Sequence, residues 1–383
     1  KIFDVYRELW MPKAMKVLVI GGGLAGMSAA IEMTKSGHEV ELIDLDPEWR
    51  AYGAGITVQA PMFRALRQIG LCDEVAAAGY PCRGSRARLA DGTIIGEMMA
   101  DKLEPGLPDG GGVMRPVLHA ILSSHVRHIG IQVRLGITYS DIVDGPNGAR
   151  VTFTDGGEGT YDLIVAADGI FSKTRERFFP DAPKPEFTGQ GAFRTVASRP
   201  QGLDMIEVYL GDRIKAGVTP VSETQLYMFT LSAERGDDIL SFERQVKRLR
   251  EVLQDFGGLI GEIRDTLGAD SQITYRPLQT VFCPRPWHHG RIVLIGDAAH
   301  ATTPHLASGA CAALEDAVLL NQYVTEGSDI EQALLDFTER RFERCKFIID
   351  RSLLLGRMEL AGESSEEHSR LYGEAIAFLN EPV

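Results

Sequence analysis

Cysteine is scarce in this chain. Five residues among 383, at Cys72, Cys82, Cys283, Cys311 and Cys345, make an odd number with no Cys-x-x-Cys pair. That usage argues against a disulfide framework or a cysteine-built zinc site and makes a reducing cytoplasm the expected compartment. Positive charge is also short, with 40 Lys and Arg against 53 Asp and Glu, a formal net charge of −13. A nucleic-acid partner would call for a basic patch, so none is expected. Net charge does not describe the local field of a cleft, and an anionic small molecule remains compatible with it. No apolar run approaches the ~18–20 residues needed to span a bilayer, so no membrane partner is expected. The leading residues 1–14 lack an apolar secretory core and read as an N-terminal extension ahead of Met15.

Two short glycine-bearing segments, far apart in the chain, carry most of the information. The first is Gly21-Gly22-Gly23-Leu24-Ala25-Gly26, directly after Val17-Leu18-Val19-Ile20. Strand Lys16–Ile20, helix Leu24–Ser36, the stop at Gly37 and strand Glu39–Asp44 form a βαβ unit of the expected ~30 residues. In such a unit Gly21 permits the tight bend, Gly23 lets backbone reach a diphosphate, and Gly26 lets helix and strand pack closely. The helix start at Leu24 and Ala25 offers N–H groups to phosphate, and Asp44 is placed to accept from ribose hydroxyls. The second segment is Gly296-Asp297-Ala298-Ala299-His300, after Ile292-Val293-Leu294-Ile295, and it runs on to Pro304-His305-Leu306-Ala307-Ser308-Gly309-Ala310. Gly296 leaves room for a ligand, and Asp297 can accept from sugar-alcohol hydroxyls. Pro304 fixes a rigid turn, and Ser308-Gly309-Ala310 opens a helix whose N–H groups face the ligand. A ligand gripped from both ends of the chain points to FAD rather than to a nicotinamide held by one domain.

Between Glu186 and Tyr275 the texture changes to alternating strands, Ala192–Ala197, Met205–Tyr209 and Gln225–Leu231, followed by helical patterns at Phe242–Asp255 and Gly258–Leu267. Earlier elements are expected as helices at Pro61–Ile69 and Pro116–His128 and as strands at Ile131–Val133, Ala149–Thr154 and Thr160–Ala166. A buried strand at Arg291–Ile295 and long helices at Gly309–Val324 and Ile330–Leu355 close the chain. The expected fold class is α/β: a Rossmann-like cofactor domain in two parts, 15–185 (with some substrate-side strands) and 276–383 with C-terminal helices, interrupted by an antiparallel β-rich substrate domain at 186–275.

The trio Gly21–Gly26, Asp168-Gly169 and Gly296-Asp297, in this order, resembles the single-component FAD-dependent aromatic hydroxylases of the para-hydroxybenzoate hydroxylase type, in the salicylate and 6-hydroxynicotinate 3-monooxygenase-like branch. The resemblance runs from about Met15 to about Leu355. It implies FAD as cofactor, NADH or NADPH as co-substrate, O2 and a small aromatic or heteroaromatic substrate, hydroxylation through a flavin C4a-hydroperoxide, and no metal. It further implies that Asp168 and Gly169 serve both FAD and NAD(P)H. Arg115 matches a helix-start arginine that contacts FAD, and Gly53-Ala54-Gly55-Ile56 matches the loop beneath the flavin ring. Two departures stand out: Ala307-Ser308 replaces Gly-Gln before Gly309, and Thr57 replaces a histidine found in hydroxynicotinate-type enzymes, so a hydroxypyridine substrate is not supported. The Trp-x-Trp pattern of flavin halogenases is absent, the tryptophans being Trp10, Trp49 and Trp287. A reductase or epoxidase of the same fold, or a non-catalytic FAD-binding protein, remains the alternative.

For catalysis the expected base or orienter is His305, beside Pro304. His300, on the cofactor turn, reads as a packing or backbone-bonding residue. Arg194 is a candidate for a substrate carboxylate, weighed against a plain exposed strand arginine. Tyr227 and Phe229, alternating on one strand, face either the substrate or the domain core. The chain is expected to act as a monomer or homodimer.

Overall fold

The computed structural model describes residues 14–383 apart from 52, 101, 328 and 364, so the expected extension lies almost wholly outside the described residues. A six-stranded sheet runs in the order His288–His289, Ile292–Leu294, Leu163–Ala166, Lys16–Ile20, Glu39–Asp44, Gln132–Leu135. All of its pairings are parallel except that of the short first strand. Its central strands are continuous apolar runs because both faces are covered: helix Leu24–Lys35 packs on the sheet, and Val151, Phe153 and Tyr161 of an antiparallel meander join the same core. Leu18, Val19, Ile164 and Val293 are fully buried. Helix Leu24–Lys35 packs between Arg115–His128 and Gly309–Glu326, which joins the two ends of the chain in one layer.

The expected strand Thr160–Ala166 is two strands. Glu158–Tyr161 belongs to a separate antiparallel meander, and Leu163–Ala166 enters the parallel sheet. The break falls at Asp162, whose carboxylate accepts the Lys16 N–H at 2.9 Å.

The second large sheet has seven strands, in the order Ile273–Thr280, Glu186–Ser198, Gln225–Ala233, Ile214–Pro220, Ile206–Leu210, Gly84–Leu89, Ile94–Met99. One face packs on helices Phe242–Val252 and Gly258–Thr266 through Phe193, Val218, Met228, Leu249 and Ile260. Strand alternation sends Arg194, Val196, Tyr227 and Phe229 to the opposite face. There Val196, Tyr227 and Phe229 meet Ala54, Met114 and Val221. Between the large sheets stand Gly55–Gln59, Gly110–Met114 and Tyr80–Pro81, a small antiparallel sheet. The helix from Ile330 runs on to Ala361, beyond its expected end, and a further helix, Ser365–Asn380, was not foreseen. Among the described residues no helix is long and apolar enough to cross a membrane.

Candidate functional site

The first glycine turn is closed on its inner side and open on its outer side. A Cβ on Gly26 would stand 1.9 Å from the Gly21 carbonyl oxygen, so helix and strand could not pack with any side chain there. A Cβ on Gly23 would meet nothing within 4 Å. Helix Leu24–Lys35 has no side-chain N-cap, and the first-turn N–H groups of Leu24, Ala25 and Gly26 have no acceptor among the described residues. Asp44 accepts the Gly22 N–H at 2.6 Å and the Asp46 N–H at 2.7 Å, so its carboxylate shapes the turn as well as facing it. Trp49, not foreseen here, donates its indole N–H to the Gly22 carbonyl at 2.8 Å.

The second turn touches the first. Gly296 has φ +58°, and a Cβ there would lie 2.9 Å from Ala25 Cβ, so only glycine combines this backbone with this approach. Asp316 Oδ2, on helix Gly309–Glu326, accepts the Gly296 N–H at 2.8 Å and stands 2.5 Å from His300 Nε2. Arg341 donates to Asp316 Oδ1 at 2.7 Å, and Glu315 holds Arg341 and Arg344. Burial opposes charge on both partners of the His300–Asp316 contact. Their attraction wins: His300 is raised well above its usual value, and Asp316, with Arg341 also beside it, falls to about 2. His300 is thus buried against the Asp316 carboxylate, which in turn holds the Gly296 N–H, rather than bonded to backbone itself. Helix Gly309–Glu326 also begins without a side-chain cap; the Ser308 hydroxyl turns back to the Leu306 carbonyl at 2.7 Å. The N–H groups of Gly309 and Ala310 have no acceptor among the described residues.

Across from these turns lies the inner face of the seven-stranded sheet. Asp297 is open to solvent yet set deep among protein atoms, and desolvation raises its carboxyl above the usual value against the pull of His300 and Arg115. Arg115 is likewise open but walled in; desolvation and the neighbouring Arg194 weaken its hold on the proton, opposed by Tyr227 and Asp297. Neither Arg115 nor Arg194 has a carboxylate partner at salt-bridge distance among the described residues. Two adjacent guanidinium groups and an acid thus line one groove. Phe229, on the same face, reaches over Gly217 of the neighbouring strand, its ring 2.5 Å from where a Gly217 Cβ would be. Tyr227 buttresses the loop at Gly55, where a Cβ would stand 2.5 Å from Tyr227 Cβ, and Thr57 Oγ1 lies 3.0 Å from Thr219 Oγ1. Two other hollows, of about 770 Å³ beside Leu103 and Asp204 and about 300 Å³ behind Val58 and Val113, include none of these groups. The groove is therefore singled out by its chemistry rather than by volume.

Two of the expected site residues are engaged within the protein. His305 does not present its ring to the groove: its side chain is 1% exposed, with Nδ1 2.9 Å from Thr303 Oγ1 and Nε2 3.3 Å from Glu359. Pro304 opens a 3-10 turn, and that turn rolls the ring inward, where burial lowers its pKa. Asp168 caps its own loop, accepting from the Ser172 hydroxyl at 2.5 Å and from the Thr174 N–H at 3.0 Å. Gly169 follows with φ +77°. Asp316 and Glu359 escaped the sequence reading, and the charge-rich stretch Glu339–Arg351, which reads as a solvated or subunit-facing surface, buries Arg341 and Arg344.

The family model described as FAD binding domain matches residues 14–352. The 2-heptyl-3-hydroxy-4(1H)-quinolone synthase of Pseudomonas aeruginosa is 31% identical, over 90% of this chain and 89% of its own. The aurachin C monooxygenase/isomerase of Stigmatella aurantiaca is 30% identical, over 91% and 90%. Among solved structures, Klebsiella pneumoniae HpxO complexed with FAD and uric acid superposes with a TM-score of 0.81 at 23% identity, over 98% of this chain and 95% of that one, a likeness of fold.

Proposed function

Because this chain belongs to the FAD binding domain family over residues 14–352, we propose that it is an FAD-dependent monooxygenase that uses NAD(P)H and O2 to hydroxylate a small aromatic or heteroaromatic substrate. The observation that carries the reading is the contact between the two glycine turns at Gly296 and Ala25, which sets two uncapped helix N-termini over one groove. That donor set fits a dinucleotide: oriented N–H groups for phosphate and carbonyl oxygen, and acids for hydroxyls. Gly21, Gly23, Leu24, Ala25, Gly26 and Asp44 would hold the adenosine and diphosphate end. Arg115, Gly296, Asp297, Ser308, Gly309 and Ala310 would hold the ribityl and flavin end, with Asp168 and Gly169 shaping the loop between them. FAD supplies, when bound, the hydride acceptor and the activation of O2.

The chain's own residues then do the positioning. Phe229 offers an apolar floor, and Arg194, lacking a protein anion, favours the ionised form of a phenol or carboxylate bound beside it. Tyr227 and Thr57 hold the loop against the sheet and keep water from one side. His305 is assigned to the turn Pro304–Leu306 as a support rather than as a base. The quinolone named for the Pseudomonas aeruginosa relative is a heteroaromatic, which agrees with the proposed substrate class.

The test is NAD(P)H oxidation by the FAD-loaded protein across hydroxybenzoates, aminobenzoates and N-heterocycles, with product analysis under 18O2. At least one ring compound is expected to stimulate oxidation tenfold or more and to gain one labelled oxygen. Stimulated oxidation that leaves every product unlabelled would instead mark a reductase.

A further inference from the structure

A cluster that the proposed reaction does not use joins the Pro304–Leu306 turn to the inner face of the sheet. Its centre is Glu359, in the last turn of helix Ile330–Ala361, with a side chain only 9% exposed. Four groups from four elements converge on its two oxygens. Lys215, on strand Ile214–Pro220, pairs with Oε1, and His368 Nε2, on helix Ser365–Asn380, stands 3.0 Å from the same oxygen. Gln190 donates to Oε2 at 3.4 Å from strand Glu186–Ser198, and His305 Nε2 makes a 3.3 Å contact there without hydrogen-bond alignment. Gly356, one turn earlier, makes the approach possible: a Cβ there would stand 2.7 Å from Gln190 Oε1 and 2.9 Å from His305 Cε1.

Strand register locates this cluster relative to the groove. Lys215 lies opposite Leu231, which lies opposite Ala192. Two residues along, on the same face, come Gly217, Phe229 and Arg194; two further come Thr219, Tyr227 and Val196. The floor formed by Arg194 and Phe229 is therefore bordered at one end by the loop that Tyr227 and Thr57 hold, and at the other by Lys215 and Glu359. An ionised carboxylate this buried persists only if its partners pair it, and here burial is outweighed by Lys215, His305 and His368. Removing the acid would leave Lys215 without its counter-charge and would release four elements at once.

We infer that Glu359 is a positioning residue for the groove: one carboxylate locks the sheet, the Pro304–Leu306 turn and the C-terminal helix into a single end wall and so fixes the space above Phe229. The inference rests on the reading of that groove as the substrate site.

The experiment compares wild type, Glu359→Gln, Lys215→Met and the double variant, all FAD-loaded. It reads KM and kcat for the compound that best stimulates NAD(P)H oxidation, together with backbone hydrogen exchange. Glu359→Gln is expected to raise KM at least tenfold while changing kcat less than threefold. It should also speed exchange together in 365–380, 303–308 and 214–220. The double variant, with both charges gone, is expected to return to within threefold of the wild-type KM, because the harm of Glu359→Gln lies in the lysine left without its counter-charge. If Glu359→Gln does not fold, Lys215→Met alone is held to the same KM and exchange criteria. A KM changed less than twofold, no rescue, or faster exchange confined to 365–380 would overturn the inference. If wild type turns over no compound, the functional reading has failed separately, and the exchange pattern still decides whether the wall is one unit.

Discussion

At the scale of single residues, the site depends on a few groups placed where burial multiplies their effect. His300 is the clearest. It packs against Trp287 with ring centroids 5.2 Å apart and faces Asp316, which at the same time holds the Gly296 N–H. Its pKa is raised on folding, so the folded chain keeps a proton that the unfolded chain releases. The stabilisation is complete below the ordinary histidine value of ~6.5 and declines above it by about 1.4 kcal/mol per pH unit until the folded pKa is passed. The stability of wild type minus that of His300→Gln, measured by urea unfolding from pH 6.5 to 9, is expected to fall along that slope. A difference independent of pH would mean that His300 is neutral in the fold. Legibility at this scale was uneven. The turns at Gly21–Gly26 and Gly296–Asp297 could be read because each need is met within six residues. Glu359 could not, because Lys215 lies 144 residues away and nothing near either residue announces the pairing.

At the scale of elements, close approach of backbone decides how the groove is assembled. Strand Gly110–Met114 carries three consecutive glycines, which no strand pattern favours. The structure gives a reason for two of them: a Cβ on Gly111 would stand 2.4 Å from the Tyr80 carbonyl oxygen, and one on Gly112 would stand 2.3 Å from the Pro220 carbonyl oxygen and 2.6 Å from Thr219 Cγ2. This strand is where the small sheet meets the seven-stranded sheet, and a methyl group would push the two apart. Gly112→Ala is expected to destabilise the chain by about 1–3 kcal/mol in urea unfolding and to weaken substrate stimulation by separating Thr57 from Thr219. Stability within 0.5 kcal/mol of wild type, on the scale of an ordinary surface change, would contradict that packing. The same physics explains which elements the sequence concealed. The parallel strands are recognisable as short apolar runs, and helix Leu24–Lys35 from its place between the glycine turn and Gly37. Gly110–Met114 has no side-chain pattern to read, and helix Ser365–Asn380 gains its place through Ala375 and Leu379 against Leu306, Ile348 and Leu355.

At the scale of the whole molecule, the chain is two sheet layers with a groove between them, and its distant ends are brought together on one side. Helix Gly309–Glu326 rests on helix Leu24–Lys35, and strand Ile292–Leu294 enters the parallel sheet that Lys16–Ile20 begins, so stretches far apart in the chain share one layer. That discontinuity was legible from the return to a buried strand near Ile292. The sharing of strands Gly84–Leu89 and Ile94–Met99 with the later sheet was less so, since their pairing with Ile206–Leu210 is set by distant chain. The central claim is that both glycine turns hold one FAD. It is tested most directly by titrating the flavin-stripped full chain with FAD and following flavin fluorescence, with NAD+ as competitor. One FAD per chain, released intact on denaturation and not displaced by NAD+ in hundredfold excess, is the expected result. A chain that stays colourless with excess FAD, or that binds NAD+ in its place, would contradict it.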